Sequence, residues 1–209
     1  MRYYRSYGVR HYRNADAVAA NQSGSGTAGT TGSLSGNTIT NTFGMVGGQR
    51  VFASRFGILD AIARLDVDTG IGRFPMLLLF DFAQNTQACG NLAAFTTPKP
   101  ACNSKQRHAY WAEVQFGKTQ EQGDMRFGYT FARIEREAVV SAFNFSDLRQ
   151  GTNLADHRLE YAFQANKNTT LAFTALIGRQ LGRLTAGTPP ASVRERYLKR
   201  LQFDLFYKF

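Results

Sequence analysis

The sequence predicts an all-β fold, an antiparallel transmembrane β-barrel, on three observations. Segments along the chain alternate apolar and polar residues with a period of two, aromatics and turn formers are both plentiful, and short connections alternate with long ones. The 209 residues hold 17 Phe, 9 Tyr and 20 Gly against 5 Pro, a balance that favours strands joined by turns. Residues 1–209 are expected to form one barrel region with about seven or eight strands. A membrane helix is excluded, since no stretch reaches roughly 18 apolar residues. The best run, Phe74 to Phe80, is interrupted by Pro75 and stopped by Asp81. A mean hydropathy of −0.32 is no objection, because strands with one lipid-facing and one water-facing row average to an unremarkable value.

The elements are clearest from the C-terminus backwards. In the last strand Leu201, Phe203, Leu205, Tyr207 and Phe209 share one face, and Arg200, Gln202, Asp204 and Lys208 the other, with Phe206 the one apolar intruder. One face suits hydrocarbon and the other water. Residues 169–181 place Leu171, Phe173, Ala175 and Ile177 against Thr170, Thr174 and Gln180, and the turn 166–168 joins them to a partner at 156–165. There His157, Leu159, Tyr161 and Phe163 alternate with Asp156, Arg158, Glu160 and Gln164. Residues 124–140 set Met125, Phe127, Tyr129 and Phe131 opposite Arg126, Gly128 and Thr130, and lose parity at 133–136, where a bulge or an exit from the membrane is expected. Residues 107–118, 72–84 and 55–68 alternate in the same way. Residues 2–12 form a weaker candidate strand.

Short polar turns are expected near 69–71, 119–123 and 166–168, and long connections near 14–49, 85–106, 143–155 and 183–193. Short periplasmic turns opposite long extracellular loops are the pattern of outer-membrane barrels. The register is self-consistent with a periplasmic C-terminus and every long loop outside. The Gly/Ser/Thr/Asn-rich loop 14–49 reads as flexible and external, and 85–106 as an external loop carrying Cys89 and Cys102. The two cysteines are too far apart for a CxxC motif. Oxidation across the loop is the natural reading in an oxidising compartment, and two free thiols are the alternative.

The formal charge is +10, which fits nucleic acid, an acidic membrane surface or an anionic solute. The basic residues are scattered, and no recognition helix, metal-finger spacing or aromatic RNA motif accompanies them, so no nucleic-acid partner is expected. Enzymatic chemistry lacks its parts. His11, His108 and His157 fall in separate segments, and no Gly-x-Ser-x-Gly elbow, HExxH or GxGxxG is present. His157 has lipid-facing parity near the outer rim, but no Ser and acid share its face, as a membrane-surface hydrolase would need. Catalytic residues, metal ligands and cofactors are each expected to be none.

The inward row is Asp60, Arg64, Asp66, Asp81, Glu113, Arg126, Arg158, Glu160, Arg200, Asp204 and Lys208, the pore-lining candidates. Such charges either set the field felt by passing ions or pair across strands and fill the lumen. Tyr207, Phe209 and Phe127 suit an interfacial girdle, and a soluble core would also absorb them.

Several segments resemble the putative-porin family of Gram-negative bacteria. They are Gly123-Asp124-Met125-Arg126-Phe127 leading to Tyr129-Thr130-Phe131, then Glu135 to Phe143 and Ser146-Asp147-Leu148. Gly151-Thr152-Asn153, Tyr161-Ala162-Phe163, Asn166 to Leu171 and Arg200-Leu201-Gln202-Phe203-Asp204-Leu205 follow. Their order and spacing carry the likeness, over roughly residues 55–209, about the C-terminal third of such a protein. The ending Phe203, Leu205, Tyr207, Phe209 also looks like the signal read by the barrel-assembly machinery. The resemblance implies passive diffusion of small hydrophilic solutes across the outer membrane, with outer-membrane lipid, lipopolysaccharide, the assembly machinery and a second copy of the chain as partner classes.

The start Met1-Arg2-Tyr3-Tyr4-Arg5 lacks the apolar stretch of a signal peptide, and the family's upstream strands are absent. The chain is therefore expected to be the C-terminal portion of a larger barrel. Eight strands leave an interior that side chains nearly fill, whereas 16–18 leave an aqueous channel. The other function class is a small non-conducting barrel acting through its loops as an adhesin or structural protein. A soluble lipocalin-like binder stands third.

Overall fold

The computed structural model describes residues 40–47, 49–141, 144, 148, 150–182 and 197–208, together with the backbone of 3–14. Ten strands follow in chain order: β1 Tyr3–Asn14, β2 Phe43–Val46, β3 Gln49–Phe52, β4 Phe56–Val67, β5 Met76–Asn85, β6 His108–Gly117, β7 Met125–Ile134, β8 Leu154–Asn166, β9 Thr169–Gln180 and β10 Leu198–Tyr207. Eight of them form one sheet in the order β1-β4-β5-β6-β7-β8-β9-β10, every neighbour antiparallel. β2 and β3 make a separate hairpin. The sheet is open, with β1 and β10 as its edges.

Seven of the sheet strands fall on the alternating segments with small shifts of bounds, and the weak candidate at 2–12 is β1. Two differences have clear causes. The expected strand 124–140 ends at Ile134, because the chain turns there to lay residues 135–141 over the sheet, and its NH groups find loop partners instead of a ladder. The stretch 14–49 is not loop throughout. Phe43–Val46 pairs with Gln49–Phe52 about a turn containing Gly47 at φ 56°, and Thr40 and Asn41 are buried. A four-residue apolar run beside glycines gave too short a period to be read as a strand. The remainder, 15–39, lies outside the described residues.

The turns between β4 and β5, β6 and β7, and β8 and β9 gather at one end of the sheet, and the long connections at the other. Backbone constraints are visible at the short turns. Gly117 has φ 86°, and a Cβ there would lie 2.0 Å from the Met125 carbonyl oxygen, so only glycine closes the β6–β7 pair. Asp124 clamps the same turn, its Oδ2 accepting the backbone NH groups of Gln120 (3.2 Å) and Glu121 (2.9 Å).

The register sorts the side chains of β4–β10 onto two faces. One carries Leu65, Leu78, Val114, Tyr129, Leu159, Ala175 and Leu201 in one cross-strand row and Phe116, Phe127, Tyr161, Phe173 and Phe203 in the flanking ones. The large side chains of this face are exposed, Phe203 at 78%, Leu205 at 67% and Phe127 at 49%, while the small Ala175 is buried among them. Ring pairs Phe127–Tyr161 and Phe173–Phe203, at 5.0 and 4.9 Å between centroids, tie neighbouring strands on that face. The buried apolar cluster lies on the other face, at the long-connection end. There Ala138 and Leu148 pack against Ala109, Ala132, Ile134 and Leu154, with Trp111, Ala83 and Val139 beside them.

Candidate functional site: the charged face of the sheet

All eleven charged residues of the inward row share one face. Asp60, Arg64 and Asp66 on β4 have the parity of Asp81 on β5, because Ile62 pairs Asp81. Leu79 pairs Glu113, Gly117 pairs Arg126, Thr130 pairs Arg158, Leu176 pairs Arg200, and Ala172 pairs Asp204, which carries the parity across to β10. Lys208 follows the end of β10 at the short-turn end, its backbone NH bonded to the Asn168 carbonyl at 2.8 Å.

One rung of the register runs Arg64, Leu79, Glu113, Thr130, Arg158, Leu176, Arg200, placing an ionic group on every second strand. Several contacts on this face run along a strand. Arg64 makes a two-pronged bond to Asp66 at 2.8 Å, and Arg158 reaches Glu160 at 2.7 Å. Gln202 donates to both oxygens of Asp204 at 3.1 and 3.0 Å. Glu113 accepts from Trp111 Nε1 at 3.0 Å and from the Gln115 amide. Residues two apart on a strand point the same way, so these groups reach one another without bridging strands. Asp60 and Asp81 are diagonal neighbours across β4 and β5. Asp156, one rung from Arg158 on the same face, is buried. Its alternation marked it, yet it stood outside the inward row.

At the long-connection end this face is overlaid by residues 135–141, 148 and 150–153. The carboxylate of Glu137, wholly buried, accepts the Thr42 backbone NH at 2.9 Å on Oε1 and the Ser54 hydroxyl at 2.6 Å on Oε2. Its own NH reaches the Gln106 carbonyl at 2.8 Å, and its carbonyl accepts from Asn85 Nδ2 at 2.7 Å. Asn85 also donates to the Arg55 carbonyl (3.0 Å) and accepts the Gly57 NH (3.2 Å). Asn41 donates to the carbonyls of Arg136 and Val139 at 2.6 and 2.9 Å and accepts the Ser141 NH at 2.9 Å. Thr152 and Gln150 close the set through Thr40 and the Asn153 carbonyl.

Cys89 and Cys102 are joined, with Cα atoms 5.8 Å apart, and the Cys89 NH donates to the same Ser54 hydroxyl at 2.9 Å. Four connections are thus fastened over one end of the charged face. Alternation misses Glu137, Ser54 and Asn41, because loop residues have no period, and Asn85, the last residue of β5, because it lies just past the alternating segment 72–84. The one signal was the loss of parity at 133–136.

Among the described residues no group of three or more His, Cys, Asp or Glu side chains could hold a metal ion. No described helix is long and apolar enough to cross a membrane, which says nothing of strands. A groove of about 580 Å³ lies at Ala63 and Ala112, bounded by Leu65, Leu78, Phe80, Val114 and Tyr129. Those side chains belong to the apolar face.

A family model described as putative porin matches residues 22–209. The chain belongs to the putative-porin family. The match begins upstream of residue 55 and takes in β2 to β10, leaving β1 outside it. Neither the curated proteins nor the solved structures give a match. Membership in a porin family points to the outer membrane and to a protein without catalytic machinery. Phe203, Leu205 and Tyr207 lie on the apolar face of β10, and Phe209 lies outside the described residues.

Proposed function

We propose that the chain is the C-terminal part of an outer-membrane β-barrel that lets small hydrophilic solutes diffuse passively through it. One observation carries this reading. The large side chains of the apolar face are exposed from β4 to β10, with Phe203 at 78%, while the charged face bears ion pairs and is overlaid at one end by loop residues. A soluble sheet buries its apolar face, and this distribution is inverted as a bilayer requires. The sheet's open edges at β1 and β10 leave two rows of backbone groups to be paired, which hydrocarbon demands and further strands would supply. With those strands added the barrel becomes wide enough to hold water.

On this reading the eleven charges line the path, and residues 135–141 and 150–153 narrow it near the long loops. The long loops are extracellular and the C-terminus periplasmic. The face ending in Phe203, Leu205, Tyr207 and Phe209 serves the assembly machinery, and a second copy of the chain is a partner class. The fastened loops favour one rival, a non-conducting barrel that presents a rigid outer surface as an adhesin or structural protein. Planar-bilayer recording on the full-length protein decides between them. Discrete ohmic conductance steps that fall when Arg158→Trp and Arg200→Trp fill the path support diffusion. Folded, inserted protein that carries no current sinks it.

A further inference from the structure

Acids and bases are not evenly mixed over the charged face. Within β4, β5 and β6 it carries Asp60, Asp66, Asp81 and Glu113 against one base, Arg64. Within β7 to β10, Arg126, Arg158 and Arg200 stand against Asp156, Glu160 and Asp204. The Arg64 guanidinium is held by both oxygens of Asp66. Asp60, Asp81 and Glu113 make no ion pair among the described residues. On β1, Arg10 holds the register position opposite Asp60. The other two acids have no base directly across from them: Asp81 stands between Ile62 and Trp111, and Glu113 between Leu79 and Thr130.

These three acids lie on a diagonal. Asp60 pairs Ala83, two residues from Asp81, and Asp81 pairs Trp111, two residues from Glu113. Each step moves one strand across and one rung toward the short-turn end, about 7–8 Å between diagonal neighbours. The side chains of Asp60 and Asp81 are close enough to interact directly. Two carboxylates in contact repel, and a positive species between them relieves the repulsion. Two oxygens at the lower steps also lack a partner. Asp81 Oδ1 is buried, and so is the hydroxyl of Thr130, a residue 2% exposed and opposite Glu113; neither has a hydrogen-bond partner among the described residues. Trp111 and Gln115 hold the Glu113 carboxylate against the wall. Oxygens without donors, set at successive depths, suit a cation that passes from one to the next.

We propose that Asp60, Asp81 and Glu113 form a stepped track for small inorganic cations, which makes the path cation-selective although the chain carries a formal charge of +10. The proposal rests on the diffusion reading above and deepens it by naming the class of solute. A path that merely followed the charge of the chain would favour anions. A lining charge, however, acts on ions within a Debye length, about 8 Å at physiological salt, and charges elsewhere on the protein are screened. Arg158, on the rung of Glu113 two strands away, is itself held by Glu160 at 2.7 Å.

The test is the reversal potential of the full-length protein in planar bilayers under a potassium chloride gradient. Wild type is expected to favour potassium over chloride. Asp81→Asn with Glu113→Gln, which keeps the shape of both side chains, is expected to lower that preference about fivefold. Its conductance falls more at low salt than at high salt, where the track is screened in wild type as well. Glu160→Gln with Asp204→Asn takes the same charge from β8 and β10 and is expected to lower the preference by less than half as much. Heat-modifiable migration confirms that each variant folds. A wild type that prefers chloride, an unchanged preference in the Asp81 and Glu113 pair, or equal falls in the two pairs overturns the proposal. Each of these results is read on protein that conducts, so it overturns this inference alone. Folded, inserted protein that carries no current overturns the diffusion reading and this inference with it.

Discussion

Glu137 offers the sharpest test of how the loop layer is held over the charged face. Its carboxylate is wholly buried and accepts two hydrogen bonds, from the Thr42 NH at 2.9 Å and the Ser54 hydroxyl at 2.6 Å. Glu137→Ala removes both acceptors and leaves two buried donors without them. Hydrogen bonds to a charged group contribute about 1.5–3 kcal/mol each, so the loss is about 3–6 kcal/mol if the loop cannot relax. Glu137→Gln keeps one carbonyl oxygen for Thr42. Its NH₂ faces the Ser54 hydroxyl, which must turn to accept while still receiving the Cys89 NH at 2.9 Å. That rearrangement costs about one ordinary hydrogen bond, about 1 kcal/mol. Hydrogen exchange followed by mass spectrometry reads the effect locally. Peptides covering 40–42 and 135–141 should exchange at least about 100-fold faster in Glu137→Ala and about tenfold or less in Glu137→Gln. The peptide covering β9, which makes none of these bonds, should be unchanged. Ser54→Ala combined with Glu137→Ala should cost less than the sum of the two single variants, since they share one bond, the remainder being the acceptor lost by the Cys89 NH. Equal acceleration in the Ala and Gln variants, or none in either, would refute the claim that this carboxylate fastens the layer.

Four further outcomes are expected. Replacing Cys89 and Cys102 by serine should lower stability by about 3 kcal/mol in the chain-entropy model, and alkylation of protein purified without reductant should find no free thiol. Asp124 is held below its ordinary value of 3.8, first by the Glu121 NH, with the Gln120 NH and the charges of Lys118 and Arg73 adding to it. A lowered folded value means its contribution is fully present above pH 3.8 and lost as pH falls through that lower value. Asp124→Asn should therefore remove part of the acid-side slope of unfolding, and an unchanged slope would contradict the clamp. Leu205→Asp on the apolar face should block assembly, while Gln202→Asp on the charged face should be tolerated; a mid-depth lipid-facing charge costs on the order of 2–4 kcal/mol for Arg or Lys and less for Asp. Deleting Phe209 should cut outer-membrane yield in cells far more than refolding into detergent, and equal falls in both would reject an assembly role.

The strands and their faces were legible in the sequence because a strand's side chains alternate strictly. A row such as Leu201, Phe203, Leu205 needs only its own segment to declare which way it points. The same alternation put the charges of β4–β10 on one face, since parity within each strand transfers to its neighbour once antiparallel pairing is fixed. It could not name their partners. Arg64 joins Asp66 and Arg158 joins Glu160 along a strand, because two residues of one face are already aligned, and a cross-strand bond depends on register that no single segment contains.

Tertiary structure alone decided the loop layer. Glu137, Ser54 and Asn41 lie in connections with no period, and Asn85 closes β5 beneath them. Each is buried where the distant stretches 40–42, 53–55 and 135–141 meet over the same end of the sheet. The rim of Arg133, His157, Arg179 and Lys199 belongs to the same class. Each residue sits alone in its own strand as one polar break in an apolar row. Only the cross-strand register, set by backbone hydrogen bonds between strands, brings the breaks together at the long-connection end of the face, Arg133 and Arg179 on one rung and His157 and Lys199 on the next.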